Sequence, residues 1–128
     1  MELFNSTDWD MDFLHEYVKD YDTAGLRTYV KDIKAGARVP YSGVCYYKKG
    51  RIRVSINPKN RYPLTVRVGS PFDKSSWKYY QMDSHKEIAS FVFLHELSHY
   101  LDYKSGVPVR CKQTKSDNFA LRTMGKLR

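Results

Sequence analysis

The stretch that decides the fold is SHKEIASFVFLHELSHYLDYK, residues 84–104. Ser84 can cap the free amides of a first helical turn, and Glu87, three residues later, can reach back to the Ser84 amide, which together make a capping box. The helix is predicted to end near 104–106, where a lysine and a glycine precede a proline. Because its first half has almost no polar face, we predict a helix buried at the centre of the fold.

Other segments alternate between apolar patterns and polar turns. Apolar residues at helical spacing predict two short helices, or one kinked helix, at 13–21 and 26–33. After a loop at 40–43, strands are predicted at 44–47, 52–56, 64–68 and 77–82. A final helix is predicted to start near residue 116.

These elements predict an α+β fold in one domain spanning residues 1–128. It would consist of an N-terminal helix or helix pair, a small antiparallel sheet of three or four strands, the central helix and a C-terminal helix. The composition agrees, since 41% hydrophobic and 15% aromatic residues are typical of a globular chain.

The sequence gives few signals of location or assembly. The N-terminus lacks a basic stretch followed by an apolar run, and no segment approaches the roughly 18 apolar residues that span a bilayer, so we expect a cytoplasmic protein without membrane contact. Cys45 and Cys111 are too few for a disulfide framework or a four-cysteine zinc ribbon, and two free thiols are expected. A monomer is assumed.

Charge is distributed unevenly along the chain. The net charge is +8, yet the first 22 residues carry seven acidic side chains and one basic one, so the remainder is strongly basic. Such a field can bind nucleic acid, and it is also common on solvated surfaces. On the predicted sheet and its loops, cations are interleaved with tyrosines and a tryptophan, which would suit single-stranded nucleic acid as well as ordinary solvation. These residues are Tyr46, Tyr47, Lys48, Lys49, Arg51, Arg53, Lys59, Arg61, Tyr62, Arg67, Lys74, Trp77 and Lys78.

Within the central helix, His95-Glu96-Leu97-Ser98-His99 has the pattern H-E-x-x-H. Residues four apart lie on one helix face, so His95 and His99 can direct both imidazoles at one metal ion, with Glu96 beside it. Zinc in such a site lowers the pKa of a water ligand to about 7, and the glutamate is placed to take the proton as a peptide carbonyl is attacked. The motif therefore predicts metal-assisted peptide hydrolysis with Zn²⁺ as cofactor.

The stretch FVFLHELSHYLDY, followed by basic residues and SDNFAL, resembles the zincin metallopeptidases, in particular small gluzincin-like forms. It is most similar to the SprT-like domain family and more distantly to the ImmA/IrrE peptidases. VCYYKKGRIRVSIN is similar to the SprT-like strand pair that precedes the active-site helix, and the likeness covers roughly residues 40–125. The resemblance implies a zinc peptidase that holds its substrate along an edge strand, and SprT-like members act on proteins attached to DNA.

The chain departs from that family at the third metal ligand. SprT-like domains usually take a third histidine after the motif, and no histidine follows His99. Asp117, at the start of a returning helix, is the first candidate, because gluzincins use a carboxylate placed there. Asp102 could ligate or support an imidazole from behind, and Cys111 could ligate as a thiolate. Gln113 stands where related gluzincins would carry glutamate, and an amide is a poor zinc ligand.

We therefore expect a zinc-dependent endopeptidase, acting on protein or peptide substrates that could be associated with nucleic acid. His95, His99 and Asp117 would bind the metal and Glu96 would be the catalytic base. A phenol near the metal could stabilise the oxyanion of the tetrahedral intermediate; the candidates are Tyr41, Tyr79, Tyr80, Tyr100 and Tyr103. The alternative is a catalytically inactive regulator with the same fold that binds DNA or RNA through its basic surface.

Overall fold

The computed structural model describes residues 1–108 and 113–127, so the candidate ligand Cys111 lies outside the described residues. Within these residues the fold has six strands and two α-helices, with three short 3-10 helices between them. The strands are β1 (Glu2–Asn5), β2 (Arg27–Asp32), β3 (Tyr41–Tyr46), β4 (Arg51–Ile56), β5 (Leu64–Val68) and β6 (Lys78–Met82). The helices are α1 (His85–Lys104) and α2 (Gln113–Thr123), and the 3-10 helices are Asp12–Val18, Tyr47–Lys49 and Lys74–Ser76.

The central helix agrees with its sequence signals. Helix α1 begins after Ser84, whose hydroxyl accepts a hydrogen bond from the Glu87 amide at 3.2 Å. The Glu87 carboxylate forms an ion pair with Lys126 at 2.7 Å. Ser84 therefore caps the helix, and Glu87 does not complete the predicted capping box. The α+β class is confirmed, as are the strands at 52–56 and 64–68.

The N-terminal prediction was wrong in its second helix. Residues 27–32 form β2, in which Thr28 and Val30 are buried and alternate with more exposed neighbours. The apolar residues of this segment fit both a helical and a period-two spacing, and the β-branched and aromatic side chains favour a strand. The first helix exists as the 3-10 helix Asp12–Val18, which buries Leu14 and Val18.

The sheet is mixed, where an antiparallel one was predicted. Its strand order is β1-β2-β4-β3, with β1 and β4 parallel to β2, and β3 antiparallel to β4. Strands β5 and β6 form a separate antiparallel hairpin. The predicted loop at 40–43 is mostly strand, because β3 starts at Tyr41. Strand β3 is therefore the edge strand at one side of the sheet.

Helix α1 packs on one face of this sheet, against β3 and β4, and α2 packs on α1. Residues 88–94 of α1 are all buried, as the missing polar face predicted. The α2 helix contributes Ala120 and Leu121 to the same core. Among the described residues, no helix has the length and apolar character that crossing a bilayer requires.

Candidate metal centre

The H-E-x-x-H residues lie in the second half of α1, a helix that packs against β3 and α2. The ligand atoms of His95, Glu96 and His99 all lie within 4.8 Å of one another, so this group could hold a metal ion. The two imidazole centroids are 5.1 Å apart, and His95 Nε2 is 3.9 Å from Glu96 Oε1. Helical spacing alone brings these side chains to one place, as the sequence predicted.

Gly43 of β3 sets how closely the strand approaches this part of α1. A Cβ atom at residue 43 would lie 2.8 Å from Val92 Cγ1 and 3.0 Å from Glu96 Cγ. Any larger residue would therefore push Glu96 away from the edge strand. Gly43 lies in the segment predicted as a loop, although a lone glycine beside apolar strand residues is a known signal for close backbone approach.

A cleft of about 280 Å³ opens between these elements. Strand β3 and helix α1 form one wall, and the other carries Gln113 and Asp117 of α2 together with Arg67 of β5. Of the five tyrosines considered for the oxyanion, Tyr41 is the one that lines this cleft. Burial and the charge of Asp117 raise the pKa of Tyr41, so its phenol stays protonated and able to donate a hydrogen bond.

Asp117 contacts His95 directly. Its Oδ1 atom is 2.7 Å from His95 Nδ1, which leaves the Nε2 atom of that ring for another partner. Asp117 is not one of the three residues whose ligand atoms cluster within 4.8 Å. A carboxylate on the far nitrogen is the usual arrangement that orients a metal-binding imidazole.

Gln113, one turn before Asp117 on α2, lines the same cleft as His95 and Glu96. Its amide favours the protonated forms of His95 and His99, but burial and the charge of His95 still keep the pKa of His99 below its ordinary value. A neutral amide of α2 therefore stands in the wall of the candidate site. From the sequence, Gln113 is expected to be a poor ligand, and its helical spacing to Asp117 indicates that both residues share one helix face.

Three polar contacts hold α2 in register on α1. Asp117 bonds to His95 at one point, the Ser116 hydroxyl donates to that of Ser98 at 3.3 Å, and Lys115 pairs with Asp102 at 3.1 Å. Asp102, the other carboxylate considered as a ligand, is thus engaged by Lys115, outside the cluster of three.

The titrating groups differ in their surroundings. Burial raises the pKa of Glu96; the neighbouring charge of His95 opposes this and that of Asp117 adds to it. Burial lowers the pKa of His95, but its bond to Asp117 and that carboxylate's charge outweigh burial, so the net shift is upward. Burial, followed by the charge of His95, lowers the pKa of His99. Cys45 is a free thiol whose pKa is raised to about 12 by burial and by Glu96.

These residues fit a divalent cation. Two imidazoles offer ring nitrogens beside each other, and Glu96 Oε2 is buried without a hydrogen-bond partner among the described residues. A buried polar atom without a partner is costly unless a ligand or water meets it.

Comparison with protein-family models, with curated proteins and with solved structures finds no match to this chain.

Proposed function

We propose that this chain is a zinc-dependent endopeptidase of the zincin type, in which His95 and His99 bind the metal and Glu96 is the general base. The observation that carries the proposal is the cluster of His95, Glu96 and His99 within 4.8 Å, at a cleft next to an edge strand. The donor set of two imidazoles and a nearby carboxylate is one that zinc prefers in catalytic sites.

Each residue has a distinct part in the reaction. Zinc, when bound, supplies Lewis acidity that polarises a carbonyl and makes a water molecule a stronger acid. Glu96 takes the proton from the attacking water and passes it to the leaving amine. Burial raises the pKa of this carboxyl above its ordinary value, which makes it a stronger base. Tyr41 donates a hydrogen bond to the oxyanion from the wall of the cleft. The substrate lies in extended form beside β3.

The direct test is metal binding and peptide cleavage by the purified chain. We expect one zinc ion per chain, measured by elemental analysis, and cleavage of an unfolded protein such as casein, followed by mass spectrometry of the new termini. A chelator should stop the cleavage and added zinc should restore it. A His95→Ala, His99→Ala double variant that keeps its circular dichroism spectrum is the control. A folded wild-type chain that takes up no zinc from an excess would contradict the proposal.

Asp117 is the residue for which two roles compete. The sequence predicted that Asp117 is a third metal ligand, whereas its contact with His95 Nδ1 supports a role in positioning that imidazole. For a positioning carboxylate we expect Asp117→Asn to weaken zinc binding by about tenfold, the lower end of the effect of such groups, without changing the stoichiometry. Asp102→Asn is the matched control and should change zinc affinity by less than about threefold, because Lys115 is its partner.

The outcomes of that comparison are distinct when zinc affinity is measured by competition with a chromophoric chelator. Complete loss of zinc binding in Asp117→Asn alone would make Asp117 a ligand, as the sequence indicated. Equal effects of the two variants would contradict both roles.

A second function is favoured by one observation. Gln113 lines the cleft beside His95 with a neutral amide, and an amide is a weaker zinc ligand than a carboxylate or an imidazole. A regulator that keeps the fold without hydrolysing peptides would have such a site. It predicts that the wild-type chain leaves casein uncut even when zinc is bound, which the cleavage assay above measures.

A further inference from the structure

The face of the four-stranded sheet that points away from α1 has an unusual composition. On β2 and β4, Thr28, Val30, Ile52 and Val54 are buried towards the helix, so the residues between them point outward. We name the outward set the outer sheet face. Its charged and aromatic members are Glu2, Phe4, Arg27, Tyr29, Lys31, Tyr46, Arg51 and Arg53, and the strand register adds Ser42, Val44 and Ser55 to the same face.

Aromatic rings lie across the middle of this face. Phe4 and Tyr29 are register partners on β1 and β2, and their rings stack with centroids 4.9 Å apart. The guanidinium of Arg51 lies 5.8 Å from the centroid of the Tyr29 ring. Phe4 and Tyr46 are 43% and 44% exposed, which is high for large apolar side chains. Planar groups are thus contributed by all four strands of the sheet, with rings on β1, β2 and β3 and the Arg51 guanidinium on β4.

The charge of the outer sheet face is almost entirely positive. Arg27, Lys31, Arg51 and Arg53 are opposed by Glu2 at one end. Among the described residues, none of these four cations has a carboxylate within 4.0 Å. Cations that fold without ionic partners are free to meet phosphates. The face also holds a depression of about 480 Å³, lined by Tyr29, Lys31, Tyr46, Lys49, Arg51 and Arg53.

We propose that the outer sheet face binds single-stranded nucleic acid. Exposed rings on a sheet can stack unpaired bases, while arginine and lysine side chains between them meet the phosphates. A duplex buries its bases in the stack and would engage the cations alone. An acidic peptide would also engage the cations alone and leave the aromatic rings without a stacking partner. The combination of both groups on one face therefore favours a single strand.

This site is separate from the metal centre. Helix α1 and the cleft lie on the other face of the sheet, so the sheet itself stands between the two. The inference does not depend on peptidase activity. If both sites act together, a strand held on one face would bring its bound proteins to an enzyme whose cleft opens on the other.

The test uses the full chain and fluorescein-labelled oligonucleotides of 12 nucleotides, dT12 and rU12, with fluorescence anisotropy at several salt concentrations. We expect Arg51→Ala with Arg53→Ala to weaken binding by about tenfold or more. It should also flatten the dependence of log affinity on log salt by roughly 1.4, since each lost phosphate contact on a single strand removes about 0.7. Tyr29→Ala should weaken binding by roughly tenfold and leave that slope unchanged, because stacking releases no counterions.

The matched control removes two exposed cations of α1, Lys86→Ala with Lys104→Ala, and should change affinity by less than about threefold. Every variant is checked for folding by thermal melting. The proposal is overturned if the wild-type chain binds neither oligonucleotide, if the control loses as much affinity as the Arg51, Arg53 variant, or if a 12-base-pair duplex binds as tightly as the single strands. A chelator added to the wild-type chain should leave oligonucleotide binding unchanged, which separates this test from that of the metal centre.

Discussion

Replacing Glu96 by glutamine is expected to reduce peptide cleavage by about 10³-fold while zinc affinity changes by less than about threefold. General-base catalysis contributes about 10²–10⁴-fold to enzymatic rates, and glutamine keeps the shape of the side chain while removing its basicity. Glu96 is suited to the role because it is buried beside His95, with one carboxylate oxygen unpartnered among the described residues. The measurement is kcat/KM on a fluorogenic peptide, with zinc content determined on the same sample.

Glu87→Gln is the matched control for that variant. It makes the same chemical change in the first turn of α1, where Glu87 pairs with Lys126, and it should leave cleavage unchanged. Melting temperatures of both variants would separate a loss of turnover from a loss of fold. Unaltered cleavage by a folded Glu96→Gln variant would remove Glu96 from the mechanism.

The parts of the fold that could be predicted from sequence are those with local signals. Helix α1 was found because Ser84 caps its start and residues 88–94 leave no polar face. Strand β4 was found because Ile52 and Val54 alternate with arginines. In each case the physical cause of the structure lies within one segment, so the pattern alone is sufficient.

Strands β1 and β2 were missed because what fixes them is not local. β1 has four residues, ELFN, and none of them is fully buried, so it carries no clear alternation. It becomes a strand by pairing in parallel with β2, from Glu2 and Arg27 to Asn5 and Val30. Partners some 25 positions apart leave no mark on either segment, and β2 by itself also fits a helical spacing.

The candidate site also has one part that is fixed by local sequence and one that is fixed by tertiary packing. His95, Glu96 and His99 are brought together by one helical turn, and the sequence predicted the group that the structure contains. The partners on α2 depend on how that helix is rotated on α1, which follows from burial of Ser116, Ala120 and Leu121. That rotation puts Asp117 on His95 Nδ1 and places Gln113 in the wall of the same cleft. The spacing of 113 and 117 gave the shared face, but tertiary packing decided which residue meets which atom.

The rotation of α2 leads to the second large expected effect, a gain of function. We expect Gln113→Glu to tighten zinc binding by about a hundredfold. The Gln113 side chain lines the cleft together with His95 and Glu96, so glutamate at this position would offer a charged oxygen where the wild-type chain offers a neutral one. Carboxylate oxygens are regular zinc ligands in catalytic sites with two histidines, whereas amides are not. Zinc affinity would be measured by competition with a chromophoric chelator, and cleavage at limiting zinc should rise with it.

Thr114→Glu is the matched control, because it adds the same charge to the same turn of α2 at an exposed position beside Gln113. A general electrostatic effect would tighten zinc binding equally in both variants, whereas a specific ligand effect appears in Gln113→Glu alone. Gln113→Ala completes the series and should leave zinc binding nearly unchanged, because the amide that it removes is a poor zinc ligand. If Gln113→Glu binds zinc no better than the wild-type chain, position 113 does not face the metal, and Asp117 becomes the remaining described α2 residue that could complete the site.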